Sequence, residues 1–308
     1  MSSHHALSTA FEPASIAVIG ASDSPGSVGR IIFRNLVEGG YRGTLHAVNP
    51  KYERIQDHPC HRSIEDIGRP VDLAIIATPA RMLHNVTAQC GRSGVRNAII
   101  VGATGRTLER RIIETARESG LRLLGPGSLG IARPGSGLNA ALTRIAVKPG
   151  EIALVSQSGA LCSVVLDWAS TQGVGFSSVI SLGGTVDIDF GETLEYLTHD
   201  PQTRYILLYV DHIRNARHFM SALRSAARIK PIIVLKAGRH GADENDTTAA
   251  AHGGLADVVF DAAMRRAGVV RVNNLDQLFF ATKALSCGFR PREDSLAIVS
   301  NGSGPADL

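Results

Sequence analysis

One local pattern occurs three times in this chain and constrains the fold more than any other feature. An apolar, strand-like run ends in a glycine- and serine-rich loop, and a helical pattern restarts behind it. The copies are Ile16-Ala-Val-Ile-Gly20-Ala-Ser22, Ile152-Ala-Leu-Val-Ser156-Gln-Ser-Gly159 and Leu296-Ala-Ile-Val-Ser300-Asn-Gly-Ser-Gly304. A strand that feeds a small-residue turn and a helix N-terminus aims backbone N–H groups, and the positive end of the helix dipole, at one point in space. The repeats predict a modular α/β protein suited to phosphorylated ligands.

The remaining pattern fits that design. Short apolar runs at 15–19, 44–48, 72–77, 97–101 and 121–124 do not alternate, and helical patterns at 27–39, 63–67, 80–93 and 107–119 separate them. This is the rhythm of a parallel sheet buried on both faces. A second set follows, with strands at 151–155, 176–181, 205–210, 231–235 and 269–272 and helices at 159–173, 190–199, 215–229, 256–267 and 274–287. Between the sets, Arg133-Pro-Gly-Ser-Gly137 and Lys148-Pro-Gly150 carry loop chemistry. The expected organisation is a first unit over 1–130, a linker over 131–150 and a second unit over 151–290. Residues 291–308 then begin a truncated third unit, or add one strand to the second sheet.

Composition excludes several classes. A chain of 308 residues with 44% hydrophobic content can bury about two cores. No apolar run approaches the roughly 18 residues of a membrane span. Met1-Ser-Ser-His-His5 has no basic segment leading into an apolar one, so no secretory signal is expected. The expectation is a cytoplasmic protein without a membrane partner. Cys60, Cys90, Cys162 and Cys287 are too scattered for a zinc or disulfide framework and read as buried, reduced thiols. A net charge of +4, scattered basic residues and 5% aromatics argue against a nucleic-acid partner and suit a small acidic ligand.

The first loop, running from Gly20 to Gly29, resembles a dinucleotide fingerprint in which Ser22 stands at the second glycine position. A nicotinamide cofactor also needs an acidic residue after the second strand to hold the ribose hydroxyls. Here that strand ends Ala47-Val48-Asn49-Pro50-Lys51, so the acid is missing and a cation stands nearby. Lys51 is either a surface lysine after a turn or the partner of a phosphate on the ribose, such as the 3′-phosphate of coenzyme A. Ala77-Thr78-Pro79 ends the third strand and Gly125-Pro126-Gly127-Ser128 the fifth. In a doubly wound sheet such loops meet at the C-terminal strand ends, where ligands bind.

Together, Ser15–Ser22, Val48–Lys51, Ala77–Pro79, Gly125-Pro126, Ile152–Gly159 and Asp200-Pro-Gln-Thr203 resemble the ADP-forming acyl-CoA synthetases, the superfamily of the succinyl-CoA synthetase α subunit. The resemblance covers essentially the whole chain. Phe11-Glu-Pro-Ala-Ser15 and Gly26-Ser-Val-Gly29 resemble in particular the synthetase-like region of bacterial protein lysine acetyltransferases, which is fused to a GNAT domain. The resemblance implies an α/β chain with a Rossmann-like CoA-binding domain followed by a flavodoxin-like parallel-sheet domain. It implies coenzyme A or acetyl-CoA as ligand, bound by Gly20, Ala21, Ser22, Ser27, Val28, Gly29, Asn49, Pro50, Lys51, Ala77, Thr78, Pro79, Gly125 and Pro126. Ser156, Gln157, Ser158 and Gly159 match the family's phosphate cradle. ATP or ADP and Mg enter through an ATP-grasp domain or subunit outside this chain. A GNAT domain and a homo-oligomer are compatible with the same resemblance.

Members of this family pass a phosphoryl group through a histidine, whose neutral imidazole is nucleophilic near pH 7. That histidine lies in a Ser-His-Thr-Gly-Ala type loop, at a fixed distance before the counterpart of Ala267-Gly268-Val-Val-Arg271-Val272. Gap-free counting puts Ala249 at its place, and the nearest imidazole is His252, expected in the loop Ala251-His252-Gly253-Gly254. The supporting glutamate of the family falls at Asp211, which also reads as a cap before the next helix. Two functions follow. With a degraded histidine loop the chain is a CoA- or acyl-CoA-binding regulatory region of an acetyltransferase, inactive as a ligase by itself. With His252 restored by a loop gap it is the α-type part of an ADP-forming acetate–CoA ligase. His58, His61 and Glu65 read as a solvated turn, His4 and His5 as a frayed terminus, and His212, His218 and His240 show no spacing logic.

Overall fold

The computed structural model describes residues 3–238 and 247–288, together with Val299; the side chains of 3–6 and 247–256 lie outside the description. The chain opens with α1 (Ser3–Phe11). It continues through β1 (Ser15–Ile19), α2 (Val28–Glu38), β2 (Thr44–Val48), β3 (Arg54–Ile55) and β4 (His58–His61). A 3-10 turn at Glu65–Ile67 precedes β5 (Leu73–Ile76), α3 (Ala80–Arg92), β6 (Asn97–Ile100), α4 (Arg106–Ser119) and β7 (Arg122–Leu124). These strands form a seven-stranded sheet in the order β3-β4-β2-β1-β5-β6-β7. It is parallel except where β3 meets β4. All four residues of β5 and all four of β6 are buried, as the uninterrupted apolar runs require. On α2 the buried positions Gly29, Ile32, Phe33 and Leu36 recur at helical spacing and cover one face of this sheet.

The second unit holds β8 (Gly130–Arg133), β9 (Leu138–Ala141), β10 (Pro149–Ser156), α5 (Gly159–Gln172), β11 (Phe176–Ser181) and α6 (Phe190–His199). It goes on with β12 (Tyr205–Val210), α7 (Ala216–Ala227), β13 (Ile232–Lys236), α8 (Thr247–Ala267), β14 (Val270–Val272) and α9 (Leu275–Ser286). Its sheet order is β14-β13-β12-β10-β11-β8-β9, with β8 and β9 antiparallel on an otherwise parallel sheet. The architecture is α/β, a Rossmann-like sheet followed by a flavodoxin-like one. Buried residues of both sheets, among them Ile16, Ile75, Val155 and Leu208, belong to one continuous apolar cluster.

Several sequence expectations need correction. The expected linker 131–150 holds the β8–β9 hairpin, which extends the second sheet through β11. What holds it there is Arg133, 1% exposed and ion-paired at 3.1 Å with Asp200, itself 1% exposed by side chain. Asn35 of α2 also donates to Ala141 O at 2.9 Å and Thr143 O at 2.7 Å, tying the hairpin to the first unit. The frayed terminus is α1, whose Leu7 and Phe11 are buried. The expected turn with His58 and His61 is β4, paired to β2 with Val48 opposite His61. The helix expected at 63–67 is only the 3-10 turn. Of the four thiols expected to be buried, Cys90 and Cys162 are, and burial pushes each up to about 12; Cys60 is half-buried and Cys287 exposed. The strand expected within 295–308 lies outside the described residues, Val299 apart. Among the described residues no helix is long and apolar enough to cross a membrane.

Candidate ligand crevices at the strand ends

The first crevice opens at the C-terminal ends of β1, β2 and β5, and the loop after β7, beyond β6, lies on the same strand-end face. Strand order reverses between β1, which leads to β2 on one side, and β5 on the other, which is where a doubly wound sheet places its ligand. Backbone packing here leaves no space for side chains at two glycines. A Cβ on Gly20, whose φ is +94°, would lie 2.6 Å from Ala77 O, and one on Gly29 would lie 1.9 Å from Gly20 O. Asn49 fixes the loop after β2 by donating to Ala21 O at 2.7 Å and accepting from Lys51 N at 3.0 Å. Ser22 Oγ meets Tyr52 Oη at 3.3 Å and accepts from Ser24 N. Ser27 caps α2 by accepting from Arg30 N. Lys51 is exposed beside these loops. The structure brings together the candidates from Gly20 to Pro79; Gly125 and Pro126 stand at the β7 end of the same sheet, joined by a cis peptide.

The second crevice lies at the ends of β10, β11 and β12. Ser158 caps α5, accepting from Leu161 N at 3.2 Å, and Ser156 Oγ folds the loop by accepting from Ser158 N and donating to Ser158 O. Gln157, 8% exposed, spans the gap to the loop after β12. Its Oε1 accepts from Asp211 N at 2.7 Å and His212 N at 3.0 Å, and its Nε2 donates to His212 O at 2.9 Å and Thr185 Oγ1 at 3.3 Å. The His212 ring stands within 3.4 Å of both Thr185 Oγ1 and Asp211 Oδ2.

The two crevices share a wall. Gly184 N donates to Pro126 O at 2.8 Å, and Ser128 Oγ donates to Ser181 O at 2.5 Å. Below them Arg122 pairs with Asp187 at 2.9 Å and with Glu192 at 2.7 Å.

Comparison with known proteins matches the same two units. Residues 14–134 fit the model of a CoA binding domain, and residues 149–285 fit that of a succinyl-CoA ligase like flavodoxin domain. The α subunit of acetate–CoA ligase [ADP-forming] I from Pyrococcus furiosus is 38% identical over 97% of this chain and 67% of its own length. The chain belongs to the ADP-forming acetate–CoA ligase family. Acetate–CoA ligase [ADP-forming] I of Archaeoglobus fulgidus is 40% identical over 96% of this chain but 44% of its own length. A dinucleotide forming acetyl-coenzyme A synthetase 1 of Ca. Korarchaeum cryptofilum, solved with phosphate and ADP, superposes with a TM-score of 0.89. It is 31% identical, over 97% of this chain and 66% of that one. The chain thus spans about two thirds of the length of these relatives, or less.

Three sequence readings change. His212, whose spacing points to no site, stands in the second crevice; its one signal is adjacency to Asp211, the position matched to the family's glutamate. Asp211 does not cap α7, since Asn215 does. The expected loop around His252 is part of α8, whose backbone runs helical from Thr247. The run Ala249-Ala250-Ala251 has the highest helix propensity of any residue type and carries the helix past Gly253 and Gly254. The His252 side chain lies outside the described residues.

Proposed function

We propose that this chain is the CoA-binding, α-type part of an ADP-forming acetate–CoA ligase and works with an ATP-grasp domain or subunit. The shared wall carries the reading: the loop after β7, on the strand-end face of the first sheet, is hydrogen-bonded to the loop that reaches Gln157 in the second crevice. A ligand along the first crevice and a phosphoryl group at the second then meet at one seam. Coenzyme A supplies the thiol that takes up the acyl group. The residues present fit it, because the floor of the first crevice is backbone that admits close approach, and Lys51 makes no ion pair among the described residues. Ser156–Gly159 offers the phosphoryl group N–H donors and hydroxyls without a fixed cation. Asp211 and His252 are the candidate carboxylate and phosphoryl acceptor. The ligase names of two relatives, together with a related synthetase solved with phosphate and ADP, support this reading over the acetyltransferase-regulatory one that Ala249 favours.

Incubation with an ATP-grasp partner, Mg2+ and γ-labelled ATP is expected to leave an acid-labile, base-stable label on this chain that is lost in His252→Ala. Label that survives His252→Ala but vanishes in His212→Ala keeps the ligase reading and moves the acceptor to the loop after β12. No label, in a chain that binds coenzyme A by calorimetry, returns it to the regulatory reading. Lys51→Glu should weaken coenzyme A by roughly 1–3 kcal/mol and dephospho-CoA by less. Equal losses would remove Lys51 from the 3′-phosphate.

A further inference from the structure

Three non-glycine residues among those described have positive φ. Gln56 and Asp57 make the two-residue turn between β3 and β4, where such angles are normal. Thr185, at φ +49°, makes no hairpin. A β-branched residue in the left-handed region is an outlier whose cost the surrounding contacts must offset. Those contacts are specific. Thr185 is 4% exposed, and its hydroxyl lies 3.3 Å from Gln157 Nε2 and 3.4 Å from His212 Nε2. Its neighbours are fastened to the first unit: Gly184 N donates to Pro126 O at 2.8 Å, Ile188 N donates to Leu123 O at 3.0 Å, and Asp187 accepts from Leu123 N at 2.8 Å. One side of a short segment is therefore zipped to β7 and the loop beyond it, while Thr185 turns the other way to hold the side chains of the second crevice.

We propose that Thr185 is a positioning residue that couples the two crevices. A ligand that orders the Gly125–Ser128 loop also orders residues 183–186. That fixes the hydroxyl on which the Gln157 amide and the His212 ring are registered, so each ligand lowers the ordering cost for the other. The inference rests on the ligand assignments made under the proposed function.

Calorimetry of coenzyme A binding in the absence and presence of inorganic phosphate tests it. In the natural chain phosphate should tighten coenzyme A about fivefold or more, the lower end of ordinary couplings. Thr185→Ser keeps the hydroxyl and should retain that factor. Thr185→Gly removes the hydroxyl but suits the positive φ, so it folds, and its factor should fall below about twofold. Thr185→Val, which keeps shape without the hydroxyl, should lose it too. Retention of the full factor in Thr185→Gly would overturn the proposal. A natural chain that binds both ligands without coupling would overturn it as well, while leaving the ligand assignments standing. A natural chain that binds neither ligand would bring down the assignments and, with them, the coupling.

Discussion

The two crevices occupy the same place in two successive parallel sheets and are built of different materials. The first is backbone. Gly20 and Gly29 let the loop after β1, the start of α2 and the loop after β5 lie in mutual contact, and side chains serve mainly to pin loops, as Asn49 pins Ala21. The second is a side-chain network: Gln157 satisfies two N–H groups and a carbonyl from the loop after β12, and Thr185 and His212 complete it. A backbone crevice breaks when atoms are added, and a side-chain crevice when they are removed.

Gly29→Ala is the sharpest way to test the first half of that contrast. The new Cβ would sit 1.9 Å from Gly20 O and 2.7 Å from Gly20 C, both backbone atoms that no rotamer change can move. The expected loss of stability is about 3 kcal/mol or more, with coenzyme A binding lost alongside. Denaturant unfolding within about 1 kcal/mol of the natural chain would mean that the loop can step aside and that the crevice is not rigid backbone.

The joint between the two units should give the next largest effect. Arg122, on β7, is shared by Asp187 and Glu192 of the second unit, all three partly buried. Burial raises the Glu192 carboxyl above the usual range even with Arg122 beside it, and Asp187 and Asp189 add to the rise. Arg122→Met leaves two carboxylates facing each other and should cost about 2 kcal/mol, below the 3–5 kcal/mol of a fully buried pair because solvent still reaches these groups. The deficit should shrink as pH falls and Glu192 takes up a proton. A deficit that is constant with pH would show that packing of the Arg122 stem, rather than the carboxylate pair, holds the joint.

How far each crevice was legible in the sequence follows from the same contrast. The buried strands announced themselves as apolar runs, and loops made of glycine, serine and proline could be placed at the strand ends because their chemistry is local. Ser156–Gly159 was readable for that reason. The contacts of Thr185 and His212 with Gln157 were not, since they span 28 and 55 residues of chain; the loop Gly183–Asp189 resembles a family loop and His212 adjoins Asp211, but neither signal names the partner. The β3–β4 hairpin turns on Gln56-Asp57, which lacks the glycine or asparagine that usually marks such a turn. The β8–β9 hairpin was hidden by its Pro-Gly-Ser-Gly turn. What fixes it is a buried partner 67 residues away: Asp200 accepts from Arg133, while Thr203 Oγ1 donates to Asp200 at 2.7 Å. The motif Asp200-Pro-Gln-Thr203, noticed for its family resemblance, is therefore a structural clamp remote from the strand-end loops.

For the second crevice the complementary test is removal. Gln157→Leu keeps most of the volume but leaves the N–H groups of Asp211 and His212 without their acceptor. The expected loss is about 1–2 kcal/mol, because the loop after β12 is partly exposed and water can take over some of these bonds. Phosphate binding should fall with it while coenzyme A binding without phosphate changes less. Equal losses for both ligands would mean that Gln157 supports the whole strand-end face and that the two crevices are not separately built.

The smallest effect contrasts one histidine in each unit. His46 on β2 is buried, and desolvation, with His61 and Arg69 adding to it, lowers its pKa from 6.5. His218 on α7 also pays for burial, but Glu195, 3.0 Å from its Nε2, together with Asp189 and Glu192, overcomes that and raises its pKa above 6.5. For His46 the unfolded chain holds the proton more tightly, so stability is lost as pH falls below 6.5 towards the folded value. For His218 the folded chain holds it more tightly, so the contribution is complete below 6.5 and is lost as pH rises through the folded value. Together the two histidines place a shallow maximum of stability near pH 6.5. His46→Leu should flatten the acid flank and leave the alkaline one, and His218→Gln should do the reverse. Denaturant midpoints measured from pH 5 to 8 would show this directly. If either substitution moved both flanks together, the two units would be titrating as one body through their shared wall, and the contrast between them would not extend to their electrostatics.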